Sequence, residues 1–484
     1  MSKLTKSKLA TLALAGLGAF ASGSVLAGMT VDSNGGLEVF ELDDTDYWFK
    51  IGGRLHLTQA FLDGSDSDRS KFPSGSMIRS ARLTFKGGVG NAWVYKVDLD
   101  FADRALRRPV GFGNGVPGAN PPGTLSIFGD TGDVSFGEAF IGYNGCKNLW
   151  LALGQISVPF GLESWASLND ATFMENSMAS QAFDTPGYGI GAYVEWHGNM
   201  FTVAGAVYQP EAGSTQYGDV LSTQPNVNLA NPQPGNGPLG SNPGSDPLGY
   251  GVRVTFSPVH DDYTVYHLGL AGKYQDLRDH ANVFNYRSGI EIRSRQSPIL
   301  FSNIPLNSAK DVMTWGFEAA GRFGPLMISG EYMFSEVDRD GNIPLANDPR
   351  LPGGDLKFKG YYIMASYVIT GEAKEYDFAS GTFGRVRPSS HKGAWEVAIR
   401  HSYLDLIDNT ALIPGSTPAP GMGAPATLVG GVDPNAIVGA SHATTLGLNW
   451  WINDNVRLMA NYSRMNFPES VDINGFGLKA IVNW

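Results

Sequence analysis

This chain has very little cysteine: one residue, Cys146, in 484. A single cysteine cannot pair within its own chain, so a disulfide-stapled fold is excluded. Charged residues are also sparse, at 17% of the sequence. They contain no basic patch of the kind that binds nucleic acid, and we expect no nucleic-acid partner.

Long apolar runs are equally scarce. The one clear run, residues 9–20, is shorter than the roughly 20 residues that a helical membrane span needs. Lys3, Lys6 and Lys8 precede this run, and small residues follow it up to Ala27. A basic start, a short apolar middle and a small-residue end predict a secretory signal peptide over residues 1–27. A retained membrane helix is the alternative.

What the chain does have is glycine, 62 residues, with aromatic residues at 11% and apolar positions that alternate with polar ones. In residues 47–62, Phe49 and Ile51 lie on one face, and Lys50 and Arg54 lie on the other. Period-two alternation of this kind predicts β-strands. Sixteen segments show it: 47–62, 76–88, 91–103, 134–144, 148–158, 188–197, 200–209, 250–258, 263–275, 312–323, 325–337, 357–370, 392–406, 441–453, 455–467 and 474–484.

The connections between these segments alternate in length. Every second connection is tight, as at 87–90, 145–147, 197–199 and 453–454, whereas those at 102–133, 209–249, 277–311 and 407–440 are long. Residues 371–391 are the exception, being long on the short-turn side. Short turns at one end and long loops at the other are typical of an outer-membrane antiparallel β-barrel, and sixteen strands leave room for a water-filled lumen.

A soluble β-sandwich or propeller is the alternative fold. It does not account for one-sided apolar faces that carry aromatic pairs at 361–362 and 450–451, which we interpret as membrane-interface residues. We therefore predict an all-β transmembrane barrel over residues 47–484. A periplasmic N-terminal segment over 28–46 precedes it.

The polar faces of the strands would line the lumen. By parity the inward cations exceed the inward acids slightly, although the whole chain has a net charge of −11, or −14 without the leader lysines. Arginine and lysine along a channel favour anions in transit. The alternative is that inward charges simply pair across strands. The inward cations are Arg54, Arg82, Lys86, Lys96, Arg253, Lys273, Arg322, Arg400, Arg457 and Lys479.

The third long loop, residues 163–186, contains Trp165, Phe173, Met174 and Phe183. Aromatic side chains in an external loop are better explained by packing against a wall, so we expect this loop to fold into the barrel.

Several segments together resemble the phosphate-selective porin O and P family over nearly the whole length after residue 27. They are Gly-Gly-Leu-Glu-Val at 35–39, Gly-Gly-Arg-Leu at 52–55, Gly-Gln-Ile-Ser-Val-Pro-Phe-Gly-Leu-Glu at 154–163, Trp-Gly-Phe-Glu at 315–318, Gly-Tyr-Tyr at 360–362, Gly-Ala-Trp-Glu at 393–396 and Leu-Gly-Leu-Asn-Trp at 446–450.

This resemblance implies a homotrimer of sixteen-stranded barrels in the outer-membrane lipid, each narrowed by an inward loop and an arginine-rich constriction. Arg54 and Arg79 match constriction arginines, and Arg287, Arg293 and Arg295 match arginines of the fifth long loop. With Arg82 and Lys273 from parity, these form the predicted anion path. Arg79 shares its parity with outward residues, so it reaches the lumen only if the strand bends or bulges.

The chain departs from the family pattern at three positions. Ser80 stands where the second arginine of a pair is common, Ser157 where a lysine is common, and Ser164 follows the matching 154–163 segment. The basic ladder is therefore thinner than in the family. We expect passive diffusion of small hydrophilic solutes that favours phosphate-like anions, with a weakly selective porin as the alternative.

Two other classes of function remain. A surface adhesin or receptor would work through the long loops. An outer-membrane hydrolase needs a nucleophile beside a base, and the sequence has no Gly-x-Ser-x-Gly elbow. The 8 histidines are scattered singly. We expect no catalysis, cofactor or metal.

Overall fold

The computed structural model describes residues 37–40, 47–64, 72–102, 135–184, 186–210, 248–277, 283–294, 299–305, 309–339, 355–406, 440–468 and 471–484. The predicted leader, most of the predicted 28–46 segment and much of the long loops lie outside these residues, so they stay predictions. No helix within the described ranges is long and apolar enough to cross a membrane.

The described chain is almost entirely β-strand, with two short helices. The helices are α1 (Leu162–Trp165) and α2 (Met178–Phe183). The strands are β1 (Leu37–Phe40), β2 (Tyr47–Gly64), β3 (Gly75–Val89), β4 (Trp93–Asp100), β5 (Ser135–Cys146), β6 (Leu149–Ser157), β7 (Tyr188–His197), β8 (Phe201–Pro210), β9 (Gly249–His260), β10 (Thr264–Asp276), β11 (Val283–Gly289), β12 (Ile299–Pro305), β13 (Ala309–Phe323), β14 (Leu326–Arg339), β15 (Leu356–Val368), β16 (Lys374–Asp377), β17 (Thr382–Val386), β18 (Ala394–Asp405), β19 (Ala440–Trp451), β20 (Val456–Phe467) and β21 (Val471–Asn483).

Sixteen of these strands form a closed antiparallel barrel, which confirms the predicted fold. The sixteen are β2–β10, β13–β15 and β18–β21, and each pairs with its neighbours in chain order. Of the other strands, β1 pairs with the start of β2, while β11–β12 and β16–β17 form separate hairpins. The last strand, β21, pairs with β2 and closes the ring, with Arg54 opposite Asn483. Gly53 and Trp484 exchange two backbone hydrogen bonds of 2.9 and 3.0 Å at this seam. Every predicted strand matches one of the sixteen to within a few residues.

Alternation along the strands separates an apolar outer face from a polar inner face. On β10, Leu268 is 56% exposed and faces outward, whereas the adjacent His267 is 1% exposed and faces inward. Exposed apolar side chains recur in this way around the barrel, as expected for a surface in contact with lipid.

Each of the aromatic pairs at 361–362 and 450–451 has one member that points into the barrel, although both members were predicted to lie at the membrane interface. Trp450 faces outward, where its ring stacks on that of Trp395 at 5.2 Å. Trp451 and Tyr362 are 4% and 2% exposed and point into the barrel. The interpretation of both members as interface residues is wrong, because neighbouring strand residues must face opposite sides.

The two small hairpins were not expected from alternation. The hairpin β16–β17 belongs to the long connection at 371–391, the one exception to the pattern of short turns. It and the described part of the fifth long loop, including β11, fold toward the barrel interior.

Candidate functional site

The third long connection, which we call the inward loop, runs over residues 158–187 and enters the barrel as predicted. Its entry depends on Gly161, whose φ of 73° favours glycine. The carboxylate of Glu331 on β14 accepts backbone N–H bonds of 2.7 Å from Leu162 and 2.9 Å from Glu163. An acceptor at this place satisfies the unpaired N–H groups at the start of α1.

The middle of the inward loop is held by strands on both sides of the barrel seam. The Lys479 ammonium of β21 donates to the Met174 carbonyl over 2.8 Å. The His56 ring of β2 lies 2.9 Å from the side-chain oxygen of Asn169. Both wall residues are buried, so they act as loop supports.

Arg400 on β18 is an inward cation that lies beneath the inward loop and forms ion pairs there. Its guanidinium contacts Glu163 at 2.6 Å and Glu291 at 2.8 Å, and donates to the Glu175 carbonyl over 3.0 Å. Its side chain is 0% exposed. Two carboxylates more than offset the single positive charge of Arg400, so this residue presents no excess positive charge to a passing solute.

The fifth long loop also enters the barrel, after β11. Glu291 is 1% exposed and accepts a 2.6 Å hydrogen bond from Thr445 on β19. The Gly289 N–H donates to Gln181 of α2 over 3.0 Å. This described segment therefore packs beside the inward loop and helps to fill the same side of the lumen.

The hairpin β16–β17 enters from the short-turn end. Arg253 donates to the carbonyls of Ser380 and Gly381 over 2.7 and 2.9 Å. Lys374 donates to Thr172 of the inward loop over 3.0 Å. Segments from both ends of the barrel thus meet inside it.

Together these three segments cover the inner face of the barrel from β9 to β21, which we call the covered wall. The six inward cations predicted on these strands are buried, with exposures between 0% and 4%: Arg253, Lys273, Arg322, Arg400, Arg457 and Lys479. For Arg253 and Arg400, the expectation that inward charges pair with each other is met, since both bind carboxylates.

The opposite side of the lumen is different. Strands β2, β3 and β4 carry inward cations that retain partial exposure, and we call this surface the cationic wall. Its residues fall into cross-strand rows: Lys50 lies opposite Lys86 and Lys86 opposite Lys96, while Arg54 lies opposite Arg82. The Lys96 and Arg82 side chains are 29% and 13% exposed.

Acids temper this wall without neutralising it. Arg82 contacts Asp98 at 3.2 Å and Asp100 at 3.3 Å. Lys96 contacts Glu138 at 2.6 Å. Arg54 donates instead to the uncharged Ser80 hydroxyl over 2.9 Å. Among the described residues of these strands and their printed contacts, five cations, Lys50, Arg54, Arg82, Lys86 and Lys96, are accompanied by three acids, Asp98, Asp100 and Glu138.

Arg79 points into the lumen because a β-bulge lies at its position, as its outward parity predicted. The β2–β3 register steps from Ser80 directly to Ile78, which leaves Arg79 as the extra residue. Bulges commonly re-aim a side chain in this way. The Arg79 guanidinium binds both carboxylate oxygens of Glu175, at 2.6 and 3.0 Å.

Arg293 of the fifth long loop binds the same carboxylate at 2.9 Å. Burial acts to raise the pKa of Glu175, but Arg293 and Arg79 outweigh it and hold that pKa well below its usual range. The structure therefore brings together four of the predicted path residues: Arg54, Arg79, Arg82 and Arg293.

The other predicted residues lie apart or outside the described chain. Lys273 is on the covered wall, with its ammonium 4.3 Å from the centre of the Phe160 ring. Burial raises the pKa of the neighbouring Asp184 carboxyl of the inward loop to about 7, against the opposing effect of Lys273. Arg295 and the side chain of Arg287 lie outside the described residues.

Sequence reasoning misses two residues of this site. Lys50 joins the lysine row, and its position four residues before Arg54 on one strand face was a usable signal. Glu175 had no such signal, because its role depends on the path that the inward loop takes through the lumen.

Comparison with known proteins gives the family. The family model for phosphate-selective porin O and P matches residues 49–468. The chain belongs to this family. Porin O of Pseudomonas aeruginosa is 25% identical to this porin over 467 residues, which cover 93% of this chain and 90% of that protein.

Solved structures with a similar barrel are more distant. An anion-selective porin from Comamonas acidovorans has 12% identity and a TM-score of 0.48, covering 90% of this porin and 100% of that chain. OmpT, an outer membrane protein of Vibrio cholerae, has 12% identity and a TM-score of 0.46, covering 92% and 99%.

Family membership and the barrel make this protein a porin of the Gram-negative outer membrane, a channel rather than an enzyme. The short turns, with the hairpin β16–β17, then face the periplasm, and the long loops face the exterior.

Proposed function

We propose that this porin passes small hydrophilic solutes by passive diffusion and favours anions, including phosphate-like oxyanions. The observation that carries the proposal is the cationic wall, where neighbouring strands align Lys50, Lys86 and Lys96 in one row and Arg54 and Arg82 in another. Rings or ladders of cations select for anions, and the planar fork of arginine suits the oxygens of phosphate.

The relatives support the same direction. The family is described as phosphate-selective, and the Comamonas acidovorans structure is described as an anion-selective porin. The strength of the preference is a separate matter. Asp98, Asp100 and Glu138 contact the wall cations, and these contacts favour modest selectivity over a dedicated phosphate channel.

Within this proposal, Arg54, Arg79, Arg82 and Arg293 lie along the anion path. Arg287 and Arg295 remain predicted contributors from the fifth long loop. We further propose, from the pattern of the leader, that residues 1–27 are removed on export and, on family grounds, that three copies assemble in the membrane. Chemical cross-linking of the purified protein in detergent tests the trimer.

The lysine row tests the anion preference. In planar bilayers under a potassium chloride gradient, the wild-type reversal potential should have the anion-selective sign. Removing the positive charge with Lys50→Gln and Lys86→Gln should move the potential toward zero, because these side chains contribute to the field along the path.

Lys359→Gln is the matched control, since Lys359 is exposed on the outer side of β15 and should leave the potential unchanged. A cation-selective wild type would overturn the proposed preference and leave a porin without it. Equal shifts in the lysine-row and control variants would remove the cationic wall from the selectivity.

A further inference from the structure

The carboxylate of Glu175 lies between two arginines of the proposed anion path, Arg79 and Arg293. Arg79 presents Nε and Nη2 to its two oxygens at 2.6 and 3.0 Å, and Arg293 adds a contact of 2.9 Å. The Glu175 side chain is 4% exposed, whereas Arg79 and Arg293 are 24% and 18% exposed. The fork is thus filled from the loop side, while its arginines still touch the lumen.

A bidentate arginine fork binds carboxylates and phosphates with the same geometry. We propose that Glu175 is a tethered internal anion: it occupies the oxyanion site formed by Arg79 and Arg293 and so weakens the porin's hold on passing phosphate. This inference rests on the proposed function, because it concerns how strongly the same path binds its solute.

Holding the inward loop in place does not require this contact. Asn449 donates to the Thr172 carbonyl over 2.9 Å, and Lys479 donates to the Met174 carbonyl over 2.8 Å. These buried bonds come from the covered wall and fix the residues just before Glu175.

A second acid of the same loop gives an internal contrast. Glu163 turns away from the cationic wall and binds the fully buried Arg400 at 2.6 Å. Glu163 and Glu175 of this loop therefore face different walls: Glu163 compensates a buried charge, and Glu175 compensates arginines that remain partly exposed.

The consequence concerns binding strength and speed. With the fork already occupied, a phosphate ion meets Arg54, Arg82 and the lysine row but must compete with Glu175 for Arg79 and Arg293. Conduction requires binding that is strong enough for entry and weak enough for release. By competing for Arg79 and Arg293, Glu175 keeps the binding of phosphate weak enough for release.

The test is Glu175→Gln, which keeps the side-chain shape and removes the charge. We expect the concentration of phosphate that halves the chloride current to fall roughly tenfold, the scale of one charge-assisted hydrogen bond gained. The reversal potential should also move further in the anion-selective direction. Glu163→Gln is the control and should leave both quantities unchanged.

Arg79→Gln separates competition from mere latching. If Glu175 competes with solute anions, Glu175→Gln should strengthen the phosphate block of the chloride current and Arg79→Gln should weaken it, because one variant frees the arginine site and the other removes part of it. If the contact only latches the loop, both variants break the same latch and should change the block in the same direction. Changes in the same direction, or unchanged phosphate block in Glu175→Gln, would overturn the proposal.

Two controls establish that each variant folds and inserts into the membrane. Heat-modifiable migration in gels shows whether each variant is folded, and channel insertion confirms it. A wild type with cation-selective current would overturn the proposed anion preference, whereas the opposite effects of the two variants would still test whether Glu175 competes for this site.

Discussion

The two walls of the lumen use the same kinds of residue for different purposes. Arg400 of the covered wall is fully buried between Glu163 and Glu291, whereas Arg82 of the cationic wall keeps 13% of its side chain exposed beside Asp98 and Asp100. Both point inward by the same alternation. The difference is that the inward loop and the fifth long loop cover Arg400 but leave Arg82 partly exposed. A cation that points inward therefore belongs to the anion path only if these segments leave it exposed.

The largest effect should come from breaking the covered wall. Arg400→Ala leaves Glu163 and Glu291 buried without their cation, and loss of one partner of a buried ion pair costs roughly 3–5 kcal/mol. We expect the free energy of unfolding, measured in urea with the protein refolded in detergent or lipid, to fall by about that amount.

The exposed pair Lys357–Glu336, with side chains 70% and 44% exposed, supplies the comparison. Lys357→Ala should change stability by about 1 kcal/mol or less. Equal losses in the two variants would show that burial does not distinguish the charges of this barrel.

A smaller effect should follow from pushing the inward loop off the covered wall. A Cβ at Gly360 would lie 2.9 Å from Cβ of Ala179 in α2 and 3.0 Å from the Tyr403 carbonyl. Gly360→Ala should cost about 1–3 kcal/mol as overpacking and change single-channel conductance, because α2 must shift within the lumen.

Gly205→Ala is the matched substitution on the outer face, where the nearest atom, of Val194, lies at 3.4 Å. It should leave conductance unchanged. If Gly360→Ala also conducts as the wild type does, then α2 does not border the conducting path.

The smallest change in stability, with a clear change in transport, should come from the cationic wall. Arg54 donates to the Ser80 hydroxyl, so Arg54→Gln should alter the free energy of unfolding by only about 1 kcal/mol. Phosphate should block the chloride current of this variant less strongly. Unchanged block would remove Arg54 from the anion path and narrow the comparison to the lysine row.

The sequence predicts the barrel well because strand alternation and turn length are local signals. Residues 188–197 coincide with β7 (Tyr188–His197), and the aromatic content of the inward loop predicts its entry into the lumen. The bulge at Arg79 also follows from parity, since an arginine of outward parity needs an extra residue to turn inward.

Coverage is harder to predict because it depends on contacts between distant parts of the chain. Arg400 meets Glu163, and Lys374 of the hairpin β16–β17 meets Thr172. No local sequence pattern predicts such contacts. Parity shows only that Lys273, Arg54 and Arg82 all point inward, and it does not show that Lys273 is covered. The competing role of Glu175 is hidden for the same reason.

The supports of the inward loop across the seam link barrel assembly to permeability. His56 on the first barrel strand and Lys479 on the last one both hold the loop, through Asn169 and Met174. A ring that has not yet joined its ends lacks one of these two supports. The narrow passage is therefore complete only when β2 and β21 have paired. We expect a barrel that is still open at this seam to pass solutes with less selectivity than the closed barrel does.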